Sequence, residues 1–106
     1  MAGEFVRAAD VADVKDGEML RCNIGGKMIA LANVAGDFFA FDDNCTHMDY
    51  ALTWGWLEDG HKVVCGCHYG SFDVRTGEAL DPPCEKPVRT YPVRVDAGTI
   101  FVDLHS

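Results

Sequence analysis

The sequence predicts an all-β fold of short antiparallel strands. Two observations carry this expectation. Short runs rich in β-branched and aromatic residues recur between glycine and aspartate punctuation, and no stretch shows the sustained apolar periodicity of a long helix. A third observation concerns organisation. Four of the five cysteines fall in a central stretch, Asn44 to Pro87, so strands early and late in the chain flank a cysteine-bearing insert.

The strands are expected at Glu4 to Ala8, Glu18 to Ile24, Lys27 to Val34, Asp37 to Phe41, Lys62 to Val64, Ser71 to Val74, Tyr91 to Val95 and Thr99 to Leu104. Turn signals stand between them at Gly25-Gly26, Ala35-Gly36, Asp59-Gly60, Thr76-Gly77 and Ala97-Gly98. Val11 and Val14 lie three apart, which suits one helical turn within Asp10 to Lys15 and no more. The segment Asp81-Pro82-Pro83-Cys84-Glu85-Lys86-Pro87 reads as a stiff loop, because proline fixes its own backbone torsion.

At 106 residues the chain fits one domain, residues 1–106, and a domain this small gains from a metal cofactor that ties its loops together. Its 48% apolar and 25% charged residues are the balance of a folded globular protein. The formal charge of −8 argues against nucleic acid, whose phosphates are bound through clustered Lys and Arg. The same negative field favours encounter with a basic protein surface. The start, MAGEFVRAADVADVKDGE, lacks a basic segment followed by an apolar run, and no stretch is long enough to span a bilayer, so a cytoplasmic location without membrane attachment is expected. An odd cysteine count in such a chain favours metal ligation or free thiols over a disulfide framework.

Cys45-Thr46-His47 is followed, after seventeen intervening residues, by Cys65-Gly66-Cys67-His68. Each short loop thus offers one thiolate and one imidazole. Two Cys and two His suit either tetrahedral zinc or a 2Fe-2S cluster with both sulfurs on one iron and both nitrogens on the other. Zinc fingers generally place Cys with Cys and His with His along the chain, whereas each loop here mixes them. The mixture favours the cluster, with Cys45, His47, Cys65 and His68 as ligands.

These residues resemble the Rieske signature, and the similarity continues through Tyr69-Gly70-Ser71-Phe72-Asp73-Val74-Arg75-Thr76-Gly77 and Lys86-Pro87-Val88-Arg89-Thr90-Tyr91-Pro92-Val93. In detail they look like the ferredoxin components of bacterial aromatic-ring dioxygenases. The resemblance implies an antiparallel β-sandwich base domain with a small cluster-binding subdomain, approximately residues 44–87, the His ligands lying near solvent at its tip. It further implies one 2Fe-2S cluster, a monomer, and two partners: a flavin-dependent ferredoxin reductase and a terminal oxygenase.

In respiratory Rieske proteins a cysteine at the position of Cys67 pairs with one in the first loop. Here His47-Met48-Asp49-Tyr50 offers none, so that disulfide is not expected. A Cys67–Cys84 bridge is disfavoured by a reducing cytosol, and Cys22 is read as a small buried apolar residue. High-potential members aim a Ser and a Tyr hydroxyl at the cluster and ligand sulfurs. The matching positions here are Gly70 and Phe72, and Ser71 and Tyr69, one residue out of step, should point elsewhere. With Asp42, Asp43, Asp49 and Asp81 close in sequence to the loops, a potential at the low end of the Rieske range follows. Gly70 is expected to be a position of positive φ. Tyr50, Trp54, Trp56 and Phe72 are read as packing groups, and His61 and His105 as exposed.

Two other functions compete. An oxygenase catalytic component needs a mononuclear iron site of two His and a carboxylate, which His61 and His105 do not supply. A Rieske-like small subunit of a nitrite-reductase type would serve assembly, and its ligands could be missing. The complete ligand set favours a one-electron carrier that is not itself an enzyme.

Overall fold

The computed structural model describes residues 5–46, 50–66, 69–82 and 84–104. His47, Met48, Asp49, Cys67, His68, Pro83 and His105 therefore lie outside the described residues.

Eleven strands are described: β1 (Phe5–Asp10), β2 (Met19–Ile24), β3 (Lys27–Val34), β4 (Asp37–Asp42), β5 (Trp56–Glu58), β6 (Lys62–Val64), β7 (Ser71–Asp73), β8 (Ala79–Asp81), β9 (Thr90–Tyr91), β10 (Val93–Asp96) and β11 (Thr99–Asp103). They form three sheets, ordered β1-β11-β10, β2-β3-β4-β9 and β5-β6-β7-β8, and their pairings are antiparallel. The all-β expectation holds. The expected helical turn is a single 3₁₀ turn at Val11–Asp13, and a second stands at Leu52–Trp54. No described helix is long and apolar enough to cross a membrane.

The β2-β3-β4-β9 sheet lies between two cores, and β3 shows why its sequence reads as it does. Residues 29–33 are all buried, because alternate side chains serve opposite faces. Ile29 and Leu31 join a core with Ile100 and Val102 of β11. Ala30 and Ala32 join the other, with Val63, Phe72 and the three cysteines Cys45, Cys65 and Cys84. On β4, Ala40 faces the first core and Phe41 the second. Cys22 is buried in the first core, and burial above all pushes its thiol pKa up, as fits a packing role.

Two differences from the expected strands have plain causes. The run Tyr91 to Val95 is broken at Pro92, which has no N–H to donate: β9 pairs with β4, β10 with β11, and the chain changes sheet between them. The Pro92 carbonyl still accepts the Asp103 N–H at 3.1 Å. Strands β5 and β8 are absent from the expectation because neither segment contains a β-branched residue, and they exist by pairing with β6 and β7.

Candidate metal centre

Two cysteine loops extend from the second core, and the same bond closes each. The Cys45 N–H donates to the Tyr50 carbonyl at 2.9 Å, and the Cys65 N–H donates to the Gly70 carbonyl at 2.7 Å, five residues on in both cases. Each bond brings the two ends of its loop together with the cysteine at the root. By sequence, His47 falls inside the first closure and His68 inside the second. Cys45 and Cys65 are 2% and 3% exposed, so both sulfurs are withdrawn from water.

Asp43 fixes the base of the first loop. It is buried, and its carboxylate pairs with Arg21 Nε at 2.8 Å while accepting bonds from the Thr53 N–H at 2.8 Å and the Thr53 hydroxyl at 3.1 Å. Its carbonyl accepts the Leu52 N–H at 2.6 Å, and Asn44 forms an antiparallel bridge with Ala51. Both stems of the loop are thereby tied together.

The first loop is then pressed onto the second. At Gly55, which ends the 3₁₀ turn Leu52–Trp54, an added β-carbon would stand 1.8 Å from the Val64 carbonyl oxygen, so only glycine permits this approach beside Cys65. Tyr50 also reaches across. Its hydroxyl oxygen lies 3.6 Å from where a β-carbon on Gly66 would stand, and its ring meets Trp54 edge-on at 5.1 Å.

The proline-rich segment supplies a third loop. The Val88 N–H donates to the Gly77 carbonyl at 2.8 Å, and a β-carbon on Gly77 would stand 2.1 Å from the Val88 carbonyl oxygen. The Thr46 hydroxyl donates to the Lys86 carbonyl at 2.8 Å, joining this loop to the first. Cys84 is buried here, its sulfur 3.9 Å from that of Cys45. Burial first, then the neighbouring Cys45 and Cys65, push its thiol up to about 12. The disfavoured Cys67–Cys84 bridge involves Cys67, outside the described residues, and the sequence reading contains no contact between Cys84 and Cys45. The signal available was a cysteine set among prolines, which holds its side chain in a fixed place.

The tuning positions fall as the residue types imply. Phe72 is fully buried among the cysteines and carries no hydroxyl, and the Ser71 hydroxyl is committed to Asp81 Oδ2 at 2.5 Å, where Lys62 Nζ also binds at 3.2 Å. Ser71 first and then Lys62 hold the Asp81 carboxyl below the usual carboxylate range. In this loop the left-handed backbone falls on Tyr69, with φ 62°, rather than on the neighbouring Gly70.

The aromatic residues divide. Phe72 packs in the core and Tyr50 is half-buried, but Trp54 and Trp56 are 61% and 42% exposed, so they are not packing groups of the kind expected. Tyr69 is 68% exposed, its ring 6.0 Å from that of Trp56. His61 is half-buried rather than exposed; it extends the β6–β7 pairing by one residue, its carbonyl accepting the Val74 N–H at 2.9 Å. Among the described residues no group of three or more His, Cys, Asp and Glu converges on one point, the two imidazoles of the expected set being outside them.

Buried, paired thiols at the roots of two loops fit an iron–sulfur cluster, which takes cysteine as thiolate and is stabilised by exclusion of water. Comparisons with known proteins agree. The family model described as Rieske [2Fe-2S] domain matches residues 4–92. The 3-phenylpropionate/cinnamic acid dioxygenase ferredoxin subunit of Escherichia coli is 46% identical over 99 residues, 93% of this chain and 92% of that protein. Among solved structures, the ferredoxin of Sphingomonas yanoikuyae B1 is 40% identical, with TM-score 0.89 over 94% of this chain and 98% of that one. A chain from the complex of reduced oxygenase and oxidized ferredoxin in carbazole 1,9a-dioxygenase is 32% identical, with TM-score 0.87 over 93% of this chain and 92% of that one. The chain belongs to the Rieske [2Fe-2S] domain family, as a ferredoxin that carries one 2Fe-2S cluster and transfers single electrons rather than catalysing a reaction.

Proposed function

We propose that Cys45, His47, Cys65 and His68 hold the cluster on a unit of residues 44–87, and that the protein carries electrons from a flavin-dependent ferredoxin reductase to the Rieske centre of a terminal ring-hydroxylating oxygenase. The observation that carries the ligand assignment is the matched closure of the two loops, each rooted on a buried cysteine and each containing one histidine of the mixed motif. When bound, the cluster supplies reversible storage of one electron, at a potential raised by neutral imidazoles in place of two thiolates.

The protein's own residues do the rest. Asp43 ties the stems of the first loop, Gly55 lets it reach the second, and Thr46 joins it to the third. Leu52, Val63 and Phe72 surround the cysteines with apolar contacts that keep water out. The oxygenase partner is supported by the likeness to a ferredoxin solved with its oxygenase. We place docking at the segments that carry His47 and His68, with a basic partner surface meeting the −8 charge of this chain.

Individual replacement tests the ligands. Cys45→Ser, Cys65→Ser, His47→Ala and His68→Ala are each expected to lose iron, acid-labile sulfide and the visible spectrum, while Cys22→Ser and Cys67→Ser keep all three. Cluster loss in Cys67→Ser with retention in Cys65→Ser would reassign the second loop, and a colourless protein holding zinc would discard the cluster. The partner face is tested by the rate of reduction by a ferredoxin reductase, which should fall as salt is raised. A rate indifferent to ionic strength would point to an apolar contact instead.

A further inference from the structure

Cys84 is a thiol in the cysteine core that the ligand assignment does not use. It is 6% exposed, and the 3.9 Å between its sulfur and that of Cys45 is within the reach of an S–H···S hydrogen bond. The contact is built into the fold. The Cys84 N–H donates to the Asp81 carbonyl at 3.2 Å, Val88 is pinned to Gly77, and the Thr46 bond to Lys86 locks the third loop to the residue after Cys45.

The direction of the bond follows from the chemistry of the pair. A cysteine that binds iron does so as thiolate and has no proton to give, so the hydrogen between the two sulfurs belongs to Cys84. The hydroxyl positions that could compete are absent or occupied: Phe72 has none, and that of Ser71 is held by Asp81.

We propose that Cys84 is a positioning residue whose S–H donates to the Cys45 sulfur and thereby raises the reduction potential of the centre. Reduction adds one electron and no proton, so the centre gains one negative charge, part of it felt at the coordinating sulfurs. A donor aimed at such a sulfur stabilises the reduced state more than the oxidised one. The inference rests on Cys45 being a ligand.

Redox titration of the purified cluster-loaded protein with dithionite, followed by visible absorption and by the paramagnetic signal of the reduced state, tests it in Cys84→Ala and Cys84→Ser. Both variants are expected to keep the cluster. At the wild-type midpoint the ratio of reduced to oxidised protein should fall roughly two- to tenfold in Cys84→Ala, the range one hydrogen bond covers. Cys84→Ser, which keeps a donor, should titrate at or above wild type. A wild-type midpoint in Cys84→Ala, or an equal fall in both variants, would overturn the donor role and leave the ligand assignment standing. If Cys84→Ala proves too unstable to titrate, a midpoint in Cys84→Ser below wild type overturns the proposal alone. Cluster loss in both Cys84 variants, with retention in Cys45→Ser, would instead make Cys84 the ligand and overturn the assignment on which the inference rests.

Discussion

Gly55 and Val64 approach so closely that a β-carbon on the glycine would stand 1.8 Å from the valine carbonyl oxygen. That oxygen belongs to the strand leading into Cys65, so the contact sets how near the first loop comes to the second. Backbone cannot move aside as a flexible side chain does. Gly55→Ala is therefore expected to separate the loops, lower the melting temperature and reduce iron per chain to well below one cluster, with overpacking of this kind costing about 1–3 kcal/mol. Iron analysis and a thermal melt check it, and a fully loaded variant melting as wild type would show that the approach is not needed.

Asp43 is the second structural test. Removing its carboxylate leaves the Thr53 N–H without its acceptor and Arg21 without its counter-ion, although Arg21 is 43% exposed and recovers part of its hydration. Asp43→Ala is expected to cost about 2–3 kcal/mol in urea unfolding, and Asp43→Asn, which keeps one acceptor oxygen, less. Equal losses in the two variants would mean that charge, and not hydrogen bonding, holds the loop stem.

Acid stability should depend on Asp73. Its carboxylate takes two bonds from the Arg75 guanidinium, at 3.0 and 2.9 Å, and one from the Arg75 N–H at 2.9 Å, and the guanidinium above all holds its pKa below the usual carboxylate value. A depressed folded pKa gives stability that is fully present above the unfolded value, about 3.9, and is lost as pH falls through the folded value. Melting temperature measured from pH 6 down to acid should fall more steeply in wild type than in Asp73→Asn. Parallel curves would assign acid unfolding to other groups.

The reduction potential should lie near the lower end of the roughly −150 to +300 mV that Rieske centres span, because the hydroxyl positions are Gly70 and Phe72 and the Ser71 hydroxyl serves Asp81. Phe72→Tyr places a hydroxyl within the cysteine core and is expected to raise the midpoint. A native midpoint near the upper end, or no shift in Phe72→Tyr once its hydroxyl is shown to reach a ligand sulfur, would refute the hydrogen-bond account.

The sequence by itself determined the all-β class, most strand positions and the two mixed cysteine–histidine loops. Each depends on residues close along the chain: alternating β-branched runs, paired turn residues, and a cysteine and a histidine two or three positions apart. It also anticipated that Ser71 faces away from the sulfurs, since alternation along a strand is a local property. What only the tertiary structure decided involves residues far apart in sequence. The sheet change at Pro92, the strands β5 and β8, the Arg21–Asp43 pair, the Gly55–Val64 approach and the Cys45–Cys84 contact exist because packing brings together segments whose own composition does not announce a partner. Periodicity records which face of a strand is buried, but not what lies against it, and the cluster loops owe their mutual position to those unrecorded contacts.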